Sequence, residues 1–162
     1  MTEKARAEEA MIEEATTGPV RRPATRSVAE LLAAAHNGLL VASLEQRPAQ
    51  RYVGAHVAAL RAAAAVLAVR TRPLRGRPGS VGPRSAWTLL GRVAPELGEW
   101  AAFFAAGAGR RQAAELGIET GVEVVSTRDA DDLLRDAETF VALVETTLGR
   151  PHQVGLSLRT VS

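Results

Sequence analysis

The sequence predicts an all-α protein, an up-and-down bundle of four to five helices. Three observations carry that expectation. Apolar residues recur at helical spacing in several stretches, alanine supplies much of the apolar fraction, and no strand series exists from which to build a parallel sheet. Hydrophobic residues make up 46% of the chain, enough for a core and against wholesale disorder. Only 4% are aromatic, so the core is expected to be thin, because alanine favours helix strongly but removes little surface from water. Helices of this kind approach closely, and dimerisation would bury further area.

Residues 1–26 read as a flexible N-terminal arm. Glu3, Glu8, Glu9, Glu13 and Glu14 come with few large apolar residues, and Gly18-Pro19 then breaks the chain ahead of Arg21, Arg22 and Pro23. A helical bundle domain is expected over 27–148. Ser27 and Glu30 have the spacing of a capping box, opening a helix with Val28, Leu31, Leu32, Ala35 and Leu39 on one face. Asn37-Gly38 is expected to end or bend it. Arg47-Pro48 starts a second helix, whose face reads Tyr52, His56, Ala59, Leu60, Ala63, Val66 and Leu67 as far as Arg70.

Between Thr71 and Arg84, Pro73, Gly76, Pro78, Gly79, Gly82 and Pro83 leave no room for a regular element. Helix is expected again after Ser85, with Trp87, Leu89, Leu90 and Val93. Pro95 lacks an amide hydrogen and must kink this helix or open the next, which carries Leu97, Trp100, Ala101, Phe104 and Ala108 and weakens through Gly107 and Gly109 towards Leu116. Gly117 to Val125 reads as a connector with room for a short extended piece. The last helix is the clearest: Ser126 or Thr127 caps it, Asp129, Asp131 and Asp132 suit its positive end, and Ala130, Leu133, Leu134, Ala137, Phe140, Val141, Val144 and Leu148 repeat at helical spacing. Gly149-Arg150-Pro151 ends it, and 149–162 forms a loose C-terminal tail.

Composition removes several function classes. There is no cysteine, hence no disulfide, thiolate catalysis or Cys-ligated zinc. His36, His56 and His152 lie in separate segments, none with a histidine or carboxylate at i+3 or i+4, so no metal site is expected. The acidic start lacks the apolar stretch of a secretory signal, and the apolar run Trp100–Ala108 is half of the ~18 residues a membrane span needs. A cytoplasmic location without membrane attachment is the resulting expectation. The net charge of +2 is too small to imply nucleic acid by itself, and the near-absence of lysine (Lys4 alone) reads as GC-rich codon usage.

Two motifs carry chemistry. Arg51 and His56 have the spacing R-x4-H, in which histidine as general acid/base and arginine as phosphate clamp would suit metal-independent RNA cleavage. Five helical residues, however, turn the chain by about 500°, leaving the two side chains roughly 140° apart. His56 also shares the apolar face of Tyr52 and Leu60, so a partly buried, hydrogen-bonded histidine is expected and no catalytic residue is assigned. Arg70, Arg72, Arg75, Arg77 and Arg84 form a basic loop able to follow a phosphate backbone, the candidate nucleic-acid contact for RNA or DNA, although no aromatic lies within it to stack on bases.

Other motifs fail. Gly76–Ser85 lacks the lysine and the preceding strand of a phosphate loop, and Gly107-Ala108-Gly109 likewise follows no strand, so no cofactor is expected. Asp129, Asp131, Asp132 and Asp136 read as helix-start and exposed-face acids. Trp87, Trp100, Phe104 and Phe140 read as core, whereas Phe103 lies off the stripe and is a candidate for a dimer interface.

RYVGAHVAALRAAAAVLAVR, the basic loop after it, PRSAWTLLGRVAPELGEWAAFFAAGAGRRQAAE and DADDLLRDAETFVALVE together resemble an uncharacterised HEPN-like family of small, high-GC actinobacterial proteins, over about Ser27 to Leu148. The resemblance implies a HEPN-type helical bundle, commonly dimeric. Some HEPN proteins are toxin ribonucleases; others bind nucleotides or act as non-catalytic partners. In the ribonucleases R-x4-6-H lies towards the later helices at the dimer interface, whereas here Arg51 and His56 fall in the second helix and the last has no histidine. The expectation is therefore a non-enzymatic interaction protein, a homodimer contacting nucleic acid or a protein partner. A metal-independent endoribonuclease using Arg51 and His56 is the alternative.

Overall fold

The first helix begins where the sequence places it. In the computed structural model, which describes residues 26–71 and 83–149, α1 spans Val28–Leu44. The Ser27 hydroxyl accepts the Glu30 amide at 3.1 Å, and the Glu30 carboxylate accepts the Ser27 amide at 2.8 Å. The arm over 1–25, the loop over 72–82 and the tail over 150–162 lie outside the described residues.

Asn37-Gly38 does not end α1, which runs on to Leu44. A Cβ at Gly38 would sit 3.3 Å from that of Ala58 and 3.2 Å from the Arg61 guanidinium, so glycine serves close approach to the next helix. That helix, α2, spans Pro48–Arg70 with proline in its first turn. Gly54 comes equally close to Ala42, its Cβ position lying 3.1 Å from that of Ala42. Contacts advance along α2 as they retreat along α1, so the pair runs antiparallel. Glycine and alanine on both sides let the backbones nearly touch.

α2 is the axis of the fold. Ala55, Ala58, Ala59, Ala62, Ala63, Ala65 and Val66 are fully buried against neighbouring helices. At 23 residues it is long and apolar enough to cross a membrane by length and composition. Its central place accounts for that character, since a helix packed on several sides is apolar on several faces.

α3 spans Pro83–Val93, opening at Pro83 rather than after Ser85 as expected, because proline suits the first helical turn. Ala94 is driven out of helical geometry ahead of Pro95, which opens a 3₁₀ turn, Pro95–Leu97, leading into α4, Gly98–Ala106. Gly107 divides the expected long stretch, and α5 runs over Ala108–Thr120. Here the connector expectation is corrected. The helix continues through Gly117 to Thr120 and stops at Gly121, whose φ of 76° is left-handed. No strand forms among the described residues. A Cβ at Gly117 would lie 2.4 Å from the Val122 carbonyl oxygen, so only glycine lets the chain fold back over the helix end.

α6 spans Thr127–Thr147, capped by Ser126: its hydroxyl accepts the Asp129 amide at 3.0 Å and donates to the Asp129 carboxylate at 2.8 Å. The aromatic centre joins α3, α4 and α6. Trp87 stacks on Phe104 at 4.9 Å, and Phe140 meets Phe104 at 5.2 Å. Two polar ties secure the periphery. Arg70 donates to the Val93 carbonyl at the end of α3 and pairs with Glu96, while His36 on α1 meets Glu145 on α6, which is only 4% exposed. Few large side chains make this core, and alanine occupies many of its buried positions among the described residues.

Candidate functional site

His56 and Arg51 both sit on α2 and do not converge. His56 is 1% exposed. Its ring stands edge-on to Trp87 and Phe104, and Nε2 lies 3.1 Å from the Phe104 carbonyl. A carbonyl only accepts, so Nε2 carries the proton and donates, leaving Nδ1 as a bare acceptor in the neutral ring. Phe104 belongs to the last turn of α4, where carbonyls lack helical partners, and His56 satisfies one of them. Burial pushes its pKa below the ordinary value, keeping the ring neutral. Nδ1 is buried with no partner among the described residues.

Arg51 turns to the start of α6. Its guanidinium donates twice to the Glu45 carbonyl, at 3.1 and 2.7 Å, and pairs with Asp131. Glu45 is the C-cap of α1, so this one side chain ties the α1–α2 corner to α6. Of the basic-loop set, Arg70 is held by Glu96 and the Val93 carbonyl. Arg84 lies in the first turn of α3, and Arg72, Arg75 and Arg77 fall outside the described residues.

The structure gathers a different set. A cleft of about 380 Å³ opens between α2, α4 and α6, with the start of α5 at one side. Tyr52, Phe104 and Leu133 give it an apolar lining, His56 contributes its ring, and Phe103 stands at the rim, 45% exposed. Arg110, Asp129, Asp132 and Asp136 supply its charge. The three aspartates recur at i, i+3 and i+7 and therefore share one face of α6.

Their surroundings set their roles. Asp129 is already engaged: the Ser126 hydroxyl holds its pKa below the usual carboxylate value, and Arg110 lies 3.4 Å away. Asp132 has Arg128 and Arg135 beside it on the exposed side of its own helix. Asp136 makes no ion pair among the described residues. Burial first, and the charge of Asp132 second, push its pKa up. Burial also raises the Tyr52 phenol, with Arg110 acting against that shift.

Sequence reasoning had Asp136 as an exposed-face acid and did not find this cleft. The 129–132–136 spacing was legible, but its partners come from α2 and α4, distant in sequence. Among the described residues no group of three or more histidines, aspartates and glutamates is placed to hold a metal ion.

A family model described as SAV_6107-like HEPN matches residues 42–145, well over half of the chain. No curated protein and no solved structure matches it. The matched span starts near the end of α1 and reaches almost to the end of α6, so it contains Arg51, His56 and the whole cleft lining.

Proposed function

Because the chain belongs to the SAV_6107-like HEPN family, we propose that it is a non-enzymatic HEPN-like binding protein that works as a homodimer in the cytoplasm. One observation carries the non-enzymatic part: both members of the R-x4-H pair are committed to holding helices together. His56 is buried on the Phe104 carbonyl and Arg51 is spent on Glu45 and Asp131. A general base must reach a proton on its substrate, and a phosphate clamp must have free donors.

Self-association is supported by exposed apolar area. Leu40, Val41 and Leu44 lie at the end of α1 facing away from the core, Leu44 being 74% exposed. These three residues are each more exposed than Phe103, and the proposal therefore puts the dimer face on α1. Light scattering tests it: the wild-type mass should be twice that of the chain, and Leu44→Glu should return it to one chain. A monomeric wild type would refute the dimer.

Nucleic-acid contact through the basic loop forms part of the same proposal. Arg70 is held by Glu96 and the Val93 carbonyl, so the proposal rests on Arg72, Arg75, Arg77 and Arg84. Neutralising these four should lower affinity for RNA or DNA and flatten its salt dependence, by about 0.9 in log–log slope for each lost duplex phosphate contact. Unchanged binding would remove nucleic acid from the reading and leave a protein partner.

A further inference from the structure

We propose that the cleft between α2, α4 and α6 binds a small organic cation, an ammonium or guanidinium group on an apolar body, with Asp136 as its counter-ion. The proposal stands apart from the dimer and from the basic loop, neither of which uses these residues.

Size comes first. About 380 Å³ lies within the range of roughly 300–1,000 Å³ typical of small-molecule pockets. Tyr52, Phe104 and Leu133 can take up an apolar body there. Charge then selects the sign. Arg110 is matched by Asp129, and the two cancel. Asp132 is paired on its outer side with Arg128 and Arg135, so Asp136 remains as the lining charge with no opposite partner among the described residues, and it disfavours an anion.

Asp136 is the cleft-lining acid without an ion pair among the described residues, and it stands on the same wall as Asp132. A neutral apolar ligand would cover this carboxylate without replacing the water it loses, which is costly. A cation restores the lost interaction with a charge-assisted hydrogen bond. The partly exposed Phe103 ring at the rim offers a second attraction of the same sign preference, since aromatic faces draw cations.

His56 brings no charge of its own to the cleft, because burial keeps its ring neutral. It lines the cleft, is 1% exposed, and has given its one ring proton to the Phe104 carbonyl. Its Nδ1 is buried and makes no hydrogen bond among the described residues. Burial and Asp132 also raise the Asp136 pKa, marking a carboxylate short of positive charge.

The test is calorimetric titration of the full chain with benzamidine, with benzamide as the neutral isostere and benzoate as the anionic one. Benzamidine should bind, with benzamide and benzoate at least about tenfold weaker. Asp136→Asn, nearly identical in shape, should weaken benzamidine about tenfold or more while leaving benzamide unaffected. N-acetylarginine amide then identifies the source: tighter binding than benzamidine assigns a side chain presented by a partner, weaker binding assigns a free small molecule. Equal affinity for all three isosteres, no binding up to about 10 mM, or an Asp136→Asn protein that binds like the wild type would each overturn the proposal. Phe103→Leu, altered at an exposed position, supplies a second variant expected to weaken benzamidine without loss of fold.

Discussion

Replacing His56 by alanine should cost the fold about 2.5–4 kcal/mol. The ring is buried against Trp87 and Phe104, with centroids 6.0 and 5.6 Å away. Removing a buried side chain of this size forfeits roughly 1.5–3 kcal/mol of burial. The Phe104 carbonyl also loses its donor at 3.1 Å, and an unpaired buried carbonyl costs about 1–3 kcal/mol. Water entering from the adjoining cleft offsets part of the second loss, so the lower half of the summed range is expected. His56→Phe separates the two contributions, keeping the ring volume while removing the donor, and should cost only about 1–2 kcal/mol. Urea unfolding followed by circular dichroism measures both, and the alanine variant should unfold about 1–2 M earlier for slopes of the usual size. An alanine variant within about 0.5 kcal/mol of wild type would refute the packing role. A His56→Phe protein as damaged as His56→Ala would assign the whole cost to the hydrogen bond.

Further consequences follow from the same geometry. Burial depresses the folded-state pKa of His56, so its contribution is fully present above the unfolded value of 6.5 and is lost as pH falls below it. Stability measured against pH should therefore decline from 6.5 downwards, and His56→Phe should flatten that part of the curve. Gly117→Ala drives a Cβ to 2.4 Å from the Val122 carbonyl oxygen and should cost about 1–3 kcal/mol, several degrees in Tm; an unchanged Tm would mean that the 121–125 segment moves aside freely. Arg51→Lys should lose about 1–2 kcal/mol, because a point charge cannot serve the Glu45 carbonyl and Asp131 together as a planar fork does. A fully stable lysine variant would show that charge alone holds the corner.

The fold was largely legible in the sequence because its signals are local. Ser27 with Glu30, Pro48, and the apolar repeat from Ala130 to Val144 each specify helix within a few residues. Errors fell where tertiary contact overrides a local rule. Gly38 looked like a breaker and is a contact residue against Ala58; Gly117 looked like the start of a connector and lies within α5 beneath Val122. Both glycines are needed for what packs on them, and sequence spacing cannot report that.

The site was less legible for the same reason. The 140° separation of Arg51 and His56 follows from helix geometry alone, and the structure gives them separate partners. The cleft instead needs Tyr52 and His56 from α2, Phe103 and Phe104 from α4 and Asp136 from α6. Their proximity depends on how α4 turns after Pro95 and ends at Gly107, neither of which leaves a trace in the spacing of the aspartates.

The most direct test of the central claim, that this HEPN domain binds rather than cuts, is incubation of the pure protein with RNA in the presence of EDTA. The account predicts intact RNA, because His56 is buried on a backbone carbonyl and Arg51 is held by Glu45 and Asp131. Cleavage that persists in EDTA and disappears in a folded His56→Phe protein would contradict it and make His56 a catalytic residue.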